Sequence, residues 1–513
     1  MSYPFILLLA STPILVILVL MIGFRWGAAR AGAAGYLAAF FLAIAFFGAN
    51  AEVLAYAHVK AFILSMDVLF IIWAAYLLYR VTDEAGAIET IGRLLPALTA
   101  DRGMQALLIG WVFASFLQGA GGFGVPVAVT APILAGLGFT PLSAVIIPSI
   151  GHGWAVTFGS LGSSFNALLS ATGLQAARLA PASALFLGLA GLLTGPMVAH
   201  AADGWRGVKR LLLPALVIGM VMGTVQYAVV VGAGLWNLGA FAGGLAGLAV
   251  SVWVVRWGEA GPGVERSERK SLWLALSAYG ILIIFTVGIL LIPPINDFLG
   301  QAAIQIQFPE TVTALGYLTP AGSNRPIRVF THAGAILVYT ALVSFWLYRR
   351  AGLYRPGTIR EILRGTVQGM MSSSLSIALM VAMATTMQAS GMTEALAQGL
   401  ANMVGKAFPL IAPWIGAIGA FMTGSNTNSN VVFAGLQMRT SELLKYNLPA
   451  ILAGQTAGAS VGSVAAPTKV VVGASTAGMS GGEGEVLRAL IGYTAILVLF
   501  IGLLSGLANL LSL

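Results

Sequence analysis

Two pairs of short polar stretches carry the side chains able to hold a small polar solute. Thr423-Gly-Ser-Asn-Thr-Asn-Ser-Asn430 offers hydroxyl and amide groups without a fixed charge. Gln118-Gly-Ala-Gly-Gly-Phe-Gly124 offers one amide and four glycines, where backbone N–H groups can approach a ligand closely. A second pair is Thr157-Phe-Gly-Ser160-Leu-Gly-Ser163-Ser164-Phe-Asn166 and Ser460-Val-Gly-Ser463-Val-Ala-Ala-Pro467-Thr468-Lys469. Pro467 removes a backbone donor and breaks the turn before it. Amide donors and helix N-termini are suited to a carboxylate. The candidate substrate-binding residues are therefore Gln118, Gly119, Gly121, Gly122, Thr157, Ser160, Ser425, Asn426, Thr427, Asn428, Gln455, Ser460, Ser463 and Lys469. The competing reading is helix–helix packing by small residues with interhelical hydrogen bonds.

Ionisable residues inside apolar runs are functional candidates by default. His152 titrates near neutral pH and is a candidate for proton coupling; the alternative is a neutral ring satisfied by one carbonyl. Asp67 is the rival proton carrier, or the partner of a cation. Lys469 fits a substrate carboxylate, a snorkelling cation or the partner of a buried acid. Cysteine is absent, and the four histidines show no metal-ligand spacing. No nucleophile–base pair stands out either, so the expectation is a non-enzyme with no cofactor and no metal.

These stretches sit in a chain of 513 residues that is 58% hydrophobic and 8% charged. Soluble domains carry about a quarter charged residues, so the surplus of apolar surface must face lipid. Apolar runs fall near 4–24, 32–48, 62–80, 181–199, 211–232, 236–255, 271–292, 328–348, 370–388 and 489–511. Two longer regions, 104–175 and 408–480, are interrupted by the polar stretches. With one re-entrant hairpin and one crossing helix in each, the total is twelve crossings; two ordinary helices in each region is the alternative. The fold class is an all-α polytopic membrane protein. The net charge of +9 arises from clusters between apolar runs, which read as topology signals and not as a nucleic-acid surface. Eighteen of the 26 basic residues fall in one alternate set of loops. By the positive-inside rule that side is cytoplasmic and both termini lie outside.

The chain also matches itself. Glu84-Ala-Gly86-Ala-Ile-Glu89 precedes Ala389-Ser-Gly391-Met-Thr-Glu394 by about 305 residues, and Phe116-Leu-Gln-Gly119 precedes Phe421-Met-Thr-Gly424 at the same offset. Gly151 to Ser160 matches Gly454 to Ser463 at about 303. The span 62–80 should run inward and its mate 370–388 outward, so the two repeats, 62–175 and 370–480, are inverted. Residues 1–61, 181–348 and 489–511 are then peripheral helices of one transporter domain, 1–513. Inverted repeats with broken helices place substrate at the midplane of secondary transporters.

Three stretches resemble the lactate permease family over nearly the whole chain: Gly122-Phe-Gly-Val-Pro126-Val-Ala with Leu134 to Phe139; Thr423 to Phe433 with Leu436-Gln437; and Ala466-Pro467 through Met479. The resemblance implies proton-coupled uptake of L-lactate, D-lactate or glycolate across the plasma (inner) membrane. Two cavity segments depart from the family pattern. His152-Gly-Trp154-Ala155 stands where an Asn-Thr-Ala-Pro-like stretch is expected, and Pro467-Thr468-Lys469 where Pro-Gln-Ser is expected. The exact carboxylate therefore stays open, and so does sodium as coupling ion. A sodium-coupled carrier of another organic anion and an anion channel are the alternatives. The expected partners are a small carboxylate, the lipid bilayer and a second copy of the chain in a homodimer.

Overall fold

At membrane depth no water satisfies the backbone, so each apolar run must bond within itself and becomes a helix. The computed structural model describes residues 3–122, 124–256, 266–479 and 481–511. Phe123 of the first polar stretch and the loop 257–265 lie outside these residues. Eleven described helical stretches are long and apolar enough to cross a membrane. Ala176–Gly232 merges the expected spans 181–199 and 211–232 into one run. A straight helix of that length would measure about 85 Å, far more than a bilayer core. The backbone leaves helical geometry at Asp203 and Gly204, which divides it into two limbs. Setting the hairpin arms apart, and adding Ala333–Arg350 and the broken helix at 448–476, gives the expected twelve crossings.

The spans 62–80 and 370–388 prove to be the middles of much longer helices, Ala51–Glu84 and Thr358–Ala389. Apolar composition marks lipid depth, whereas the helices continue through polar ends, with Asn50 capping the first by accepting from the Val53 N–H. Each interrupted region holds a hairpin and a broken helix. The first hairpin has arms Arg102–Ala120 and Val125–Gly136, and its broken helix has halves Pro141–His152 and Ser163–Thr172. The second has arms Phe408–Thr423 and Asn426–Leu444, with halves Leu448–Gly462 and Pro467–Thr476.

Hairpin and broken helix pack through glycine in both repeats. A Cβ at Gly151 would lie 2.1 Å from the Gly110 carbonyl oxygen, and one at Gly458 would lie 2.1 Å from that of Pro413. The repeats meet through hydrogen bonds that are mates of one another. Thr157 Oγ1 donates to the Thr456 carbonyl at 3.1 Å, and Ser460 Oγ donates to the Gly153 carbonyl at 2.7 Å. Adding 303 to Thr157 and Gly153 gives Ser460 and Thr456, so each bond is the other's copy. Because 157 meets 456 while 153 meets 460, the two segments run antiparallel, the arrangement that inverted repeats require.

The all-α expectation holds, with one small addition. Residues 303–328 form three two-residue antiparallel strand pairs, a nested flap. The alternation Ile304-Gln-Ile306-Gln-Phe308 is a strand period. The flap is tied to the link just before the Ala51–Glu84 helix: Asn50 Nδ2 donates to the Val312 carbonyl at 3.2 Å and the Ala314 N–H to the Gly48 carbonyl at 2.7 Å.

Candidate functional site

The hairpin tips and the helix breaks surround a cavity of about 390 Å³. Four helices begin at its wall: those starting after Gly124, at Ser163, after Ser425 and at Pro467, two from each repeat. A helix N-terminus carries about half a positive charge and unpaired N–H groups, so four of them favour an anion. Glycine in the left-handed region makes the first two starts, Gly124 at φ 87° and Gly162 at φ 77°. Ser160 and Leu161, immediately before Gly162, also sit at positive φ. Such strain in non-glycine residues is typical of positions held for a purpose.

Of the predicted residues, Gln118, Ser160, Ser425, Asn426, Thr427, Asn428 and Lys469 line this cavity. Lys469 is the one charged side chain on its wall among the described residues; its Nζ donates to Ser463 Oγ at 3.1 Å. The side-chain oxygens of Gln118, Asn426 and Asn428 are buried and have no hydrogen-bond partner among the described residues. Asn426 Nδ2 donates to Thr157 Oγ1 at 2.9 Å, and Asn428 Nδ2 to Ser376 Oγ at 3.1 Å.

The other predicted residues do not line the cavity. Gly119 faces the Trp236–Val255 helix, where a Cβ would lie 2.5 Å from the Phe241 backbone. Gly121 lies against Tyr79, and Gly122 makes room for the Ser160 hydroxyl. Thr157 and Ser460 form the seam between the repeats. Ser463 stands behind Lys469, bonded back to the Ser460 carbonyl. Gln455 is taken up within its own repeat, donating to Ser429 Oγ and accepting from Gln437. His152 is fully buried, with Nδ1 donating to the Pro148 carbonyl at 2.7 Å, and it is not on the wall. Asp67 lies apart, between Ser170 and His332.

Sequence reasoning missed Tyr76, Ser372, Ser373 and Ser376, which complete the wall from the two long helices. A run of serines at 372–376 inside an apolar span was the available signal. Ile377 on the cavity wall and Ala167, Val381, Val431 and Val68 behind it belong to one apolar plug. Four of these five also border a second, small cavity on the flap side, lined by Ser170 and Gln388.

A helical, lipid-spanning chain with inverted repeats meeting at a polar cavity is a multi-pass membrane transporter. The family model described as L-lactate permease matches residues 6–512, and the chain belongs to that family. It is 25% identical to the L-lactate permease of Salmonella typhimurium, over 85% of this chain and 84% of that one. It is 26% identical to the glycolate permease of Escherichia coli, over 85% and 83%. Among solved structures it is similar to the YdaH transporter of Alcanivorax borkumensis, with a TM-score of 0.47, 15% identity and coverage of 87% and 86%.

Proposed function

We propose that this protein imports L-lactate, or a close relative such as D-lactate or glycolate, together with a proton across the plasma membrane. The supporting observation is the wall of the central cavity: four helix N-termini and Lys469, together with the polar residues Gln118, Asn426 and Asn428. The cation and N-termini suit a carboxylate; the amide and hydroxyl side chains of the wall suit the neighbouring hydroxyl. The relatives named as lactate and glycolate permeases agree with that substrate class. A lactate-sized acid is anionic at pH 7, so accumulating it inside a negative cell requires a cation to travel with it. The loops rich in Arg and Lys are cytoplasmic in this reading, the termini are outside, and the cavity, reached by Gly27 and Ala28 beside Arg25, faces the cytoplasm. His152 and Asp67 are the two residues proposed for the proton.

The test is uptake of labelled L-lactate, D-lactate, glycolate and malate by proteoliposomes, with and without proton or sodium gradients. We expect saturable uptake of the monocarboxylates driven by the proton gradient. Lys469→Gln should raise the half-saturating lactate concentration about 10- to 150-fold, the equivalent of 1.5–3 kcal/mol for a bond to a charged partner. Transport of none of these acids, or an unchanged concentration in the variant, would refute the assignment.

A further inference from the structure

One buried carboxylate belongs to neither the cavity nor the surface. Asp67, in the middle of the Ala51–Glu84 helix, is 9% exposed. Taking a carboxylate out of water is costly unless it is paired and hydrogen-bonded. Ser170 Oγ donates to its Oδ2, and His332 Nε2 lies 3.0 Å from its Oδ1. The Arg325 guanidinium, above the Trp236 ring at 5.7 Å, adds a positive field. Among the described residues, His332 and Arg325 are the titratable or charged groups that face Asp67; the packed broken helix and the Thr358–Ala389 helix present none.

The tautomer of His332 follows from its other nitrogen. The Gly334 N–H donates to Nδ1 at 3.2 Å, so the proton of the neutral ring is on Nε2 and points at Asp67. The ring is held flat on Phe70, with centroids 5.1 Å and planes 4° apart. The Gly334 cap and the Phe70 stack thus fix the ring with its Nε2–H on the carboxylate, so His332 braces Asp67 against the Ala333–Arg350 helix.

The serine that holds this carboxylate borders a small cavity and sits on an element that reaches the substrate cavity. Ser170, Leu64 and Val68 line a cavity of about 30 Å³, enough for a water molecule. That cavity shares Gln388, Thr393 and Gly435 with a groove of about 470 Å³ under the flap. Ser170 is on the Ser163–Thr172 half-helix, whose opposite end puts Ser163 and Ser164 on the substrate wall.

We propose that Asp67 is the binding site of the co-transported proton and that its protonation loosens the tie between Ser170 and the Ala51–Glu84 helix. A proton arriving from the flap side adds to Oδ2 and the carboxylate becomes a neutral acid. Its O–H then donates to Ser170, whose own hydroxyl proton has lost an anionic acceptor. A charge-assisted hydrogen bond is roughly twice as strong as a neutral one. The half-helix is therefore held tightly when Asp67 is bare and loosely when it is protonated, while its other end senses the substrate. His332 and Ser170 are positioning residues that set the pH at which this happens. The proposal deepens the proton-coupled reading above and rests on it.

The experiment uses proteoliposomes with an internal pH dye, L-lactate as substrate, and the wild type beside Asp67→Asn, His332→Ala and His152→Gln. In the wild type, lactate entry should acidify the lumen, and a one-unit inward proton gradient should give about tenfold accumulation for one proton. In Asp67→Asn lactate should still enter down its own gradient, without acidification and with accumulation near onefold. In His332→Ala the acidification should persist, with the pH profile of uptake displaced. Full acidification and accumulation in Asp67→Asn, or their loss in His152→Gln alone, would overturn the proposal. Should Asp67→Asn fail to fold, an undisplaced profile in His332→Ala would overturn it as well. Wild-type uptake without acidification removes the proton and the proposal with it; no wild-type uptake of any acid in the panel refutes the underlying reading instead.

Discussion

The amides at the start of the second hairpin's return arm show how single residues divide their capacity between fold and ligand. Asn426 and Asn428 each donate once into the protein, to Thr157 and Ser376, and both line the cavity. Two members of the same run are committed elsewhere: Ser429 donates to the Gly416 carbonyl, and Asn430 Nδ2 reaches Thr456 Oγ1 and the Ser164 carbonyl. A run of polar residues on a helix cannot all face one way, since side chains rotate around the axis every 3.6 residues. The sequence therefore announced a polar stretch at lipid depth, but which members face the cavity depends on rotation about the helix. Asn426→Ala and Asn428→Ala should each weaken L-lactate binding roughly 10-fold or more, measured by calorimetry on the purified protein. Asn430→Ala should act mainly on stability. Equal affinity in the first two variants would assign them to packing.

At the scale of elements, glycines decide how the substrate-bearing units hold together. Gly458 lets the second broken helix approach the Pro413 carbonyl of its hairpin, as Gly151 does with Gly110 in the first. Overpacking at such a contact costs about 1–3 kcal/mol. Gly458→Ala should lower the unfolding temperature of the detergent-purified protein, whereas Gly136→Ala, with nothing within 4 Å of its Cβ, should not. Equal unfolding temperatures would contradict the close-packed seam. The hairpins and broken helices were legible because glycine, proline and polar residues interrupt runs that lipid otherwise demands be apolar. The pairing of Asp67 with His332 was not, because it joins residues 265 apart in the chain, and the strand pairs at 303–328 were not, because each strand is only two residues long.

For the whole molecule, two inverted repeats meet antiparallel at Thr157 and Ser460, and the cavity between them is closed on one side by the plug around Val381 and Val431. A carrier needs such asymmetry: a site reachable from one side at a time, whose opposite arrangement follows by exchanging the roles of the repeats. Ser373 lies on the cavity wall, and the chain has no native cysteine to interfere with labelling. A single cysteine at Ser373 should react with a membrane-impermeant thiol reagent applied from the cytoplasmic side. Saturating L-lactate should slow that reaction, and reagent applied only from outside should react far more slowly. Labelling indifferent to lactate, or labelling from the outside alone, would contradict a lactate site in a cavity open to the cytoplasm.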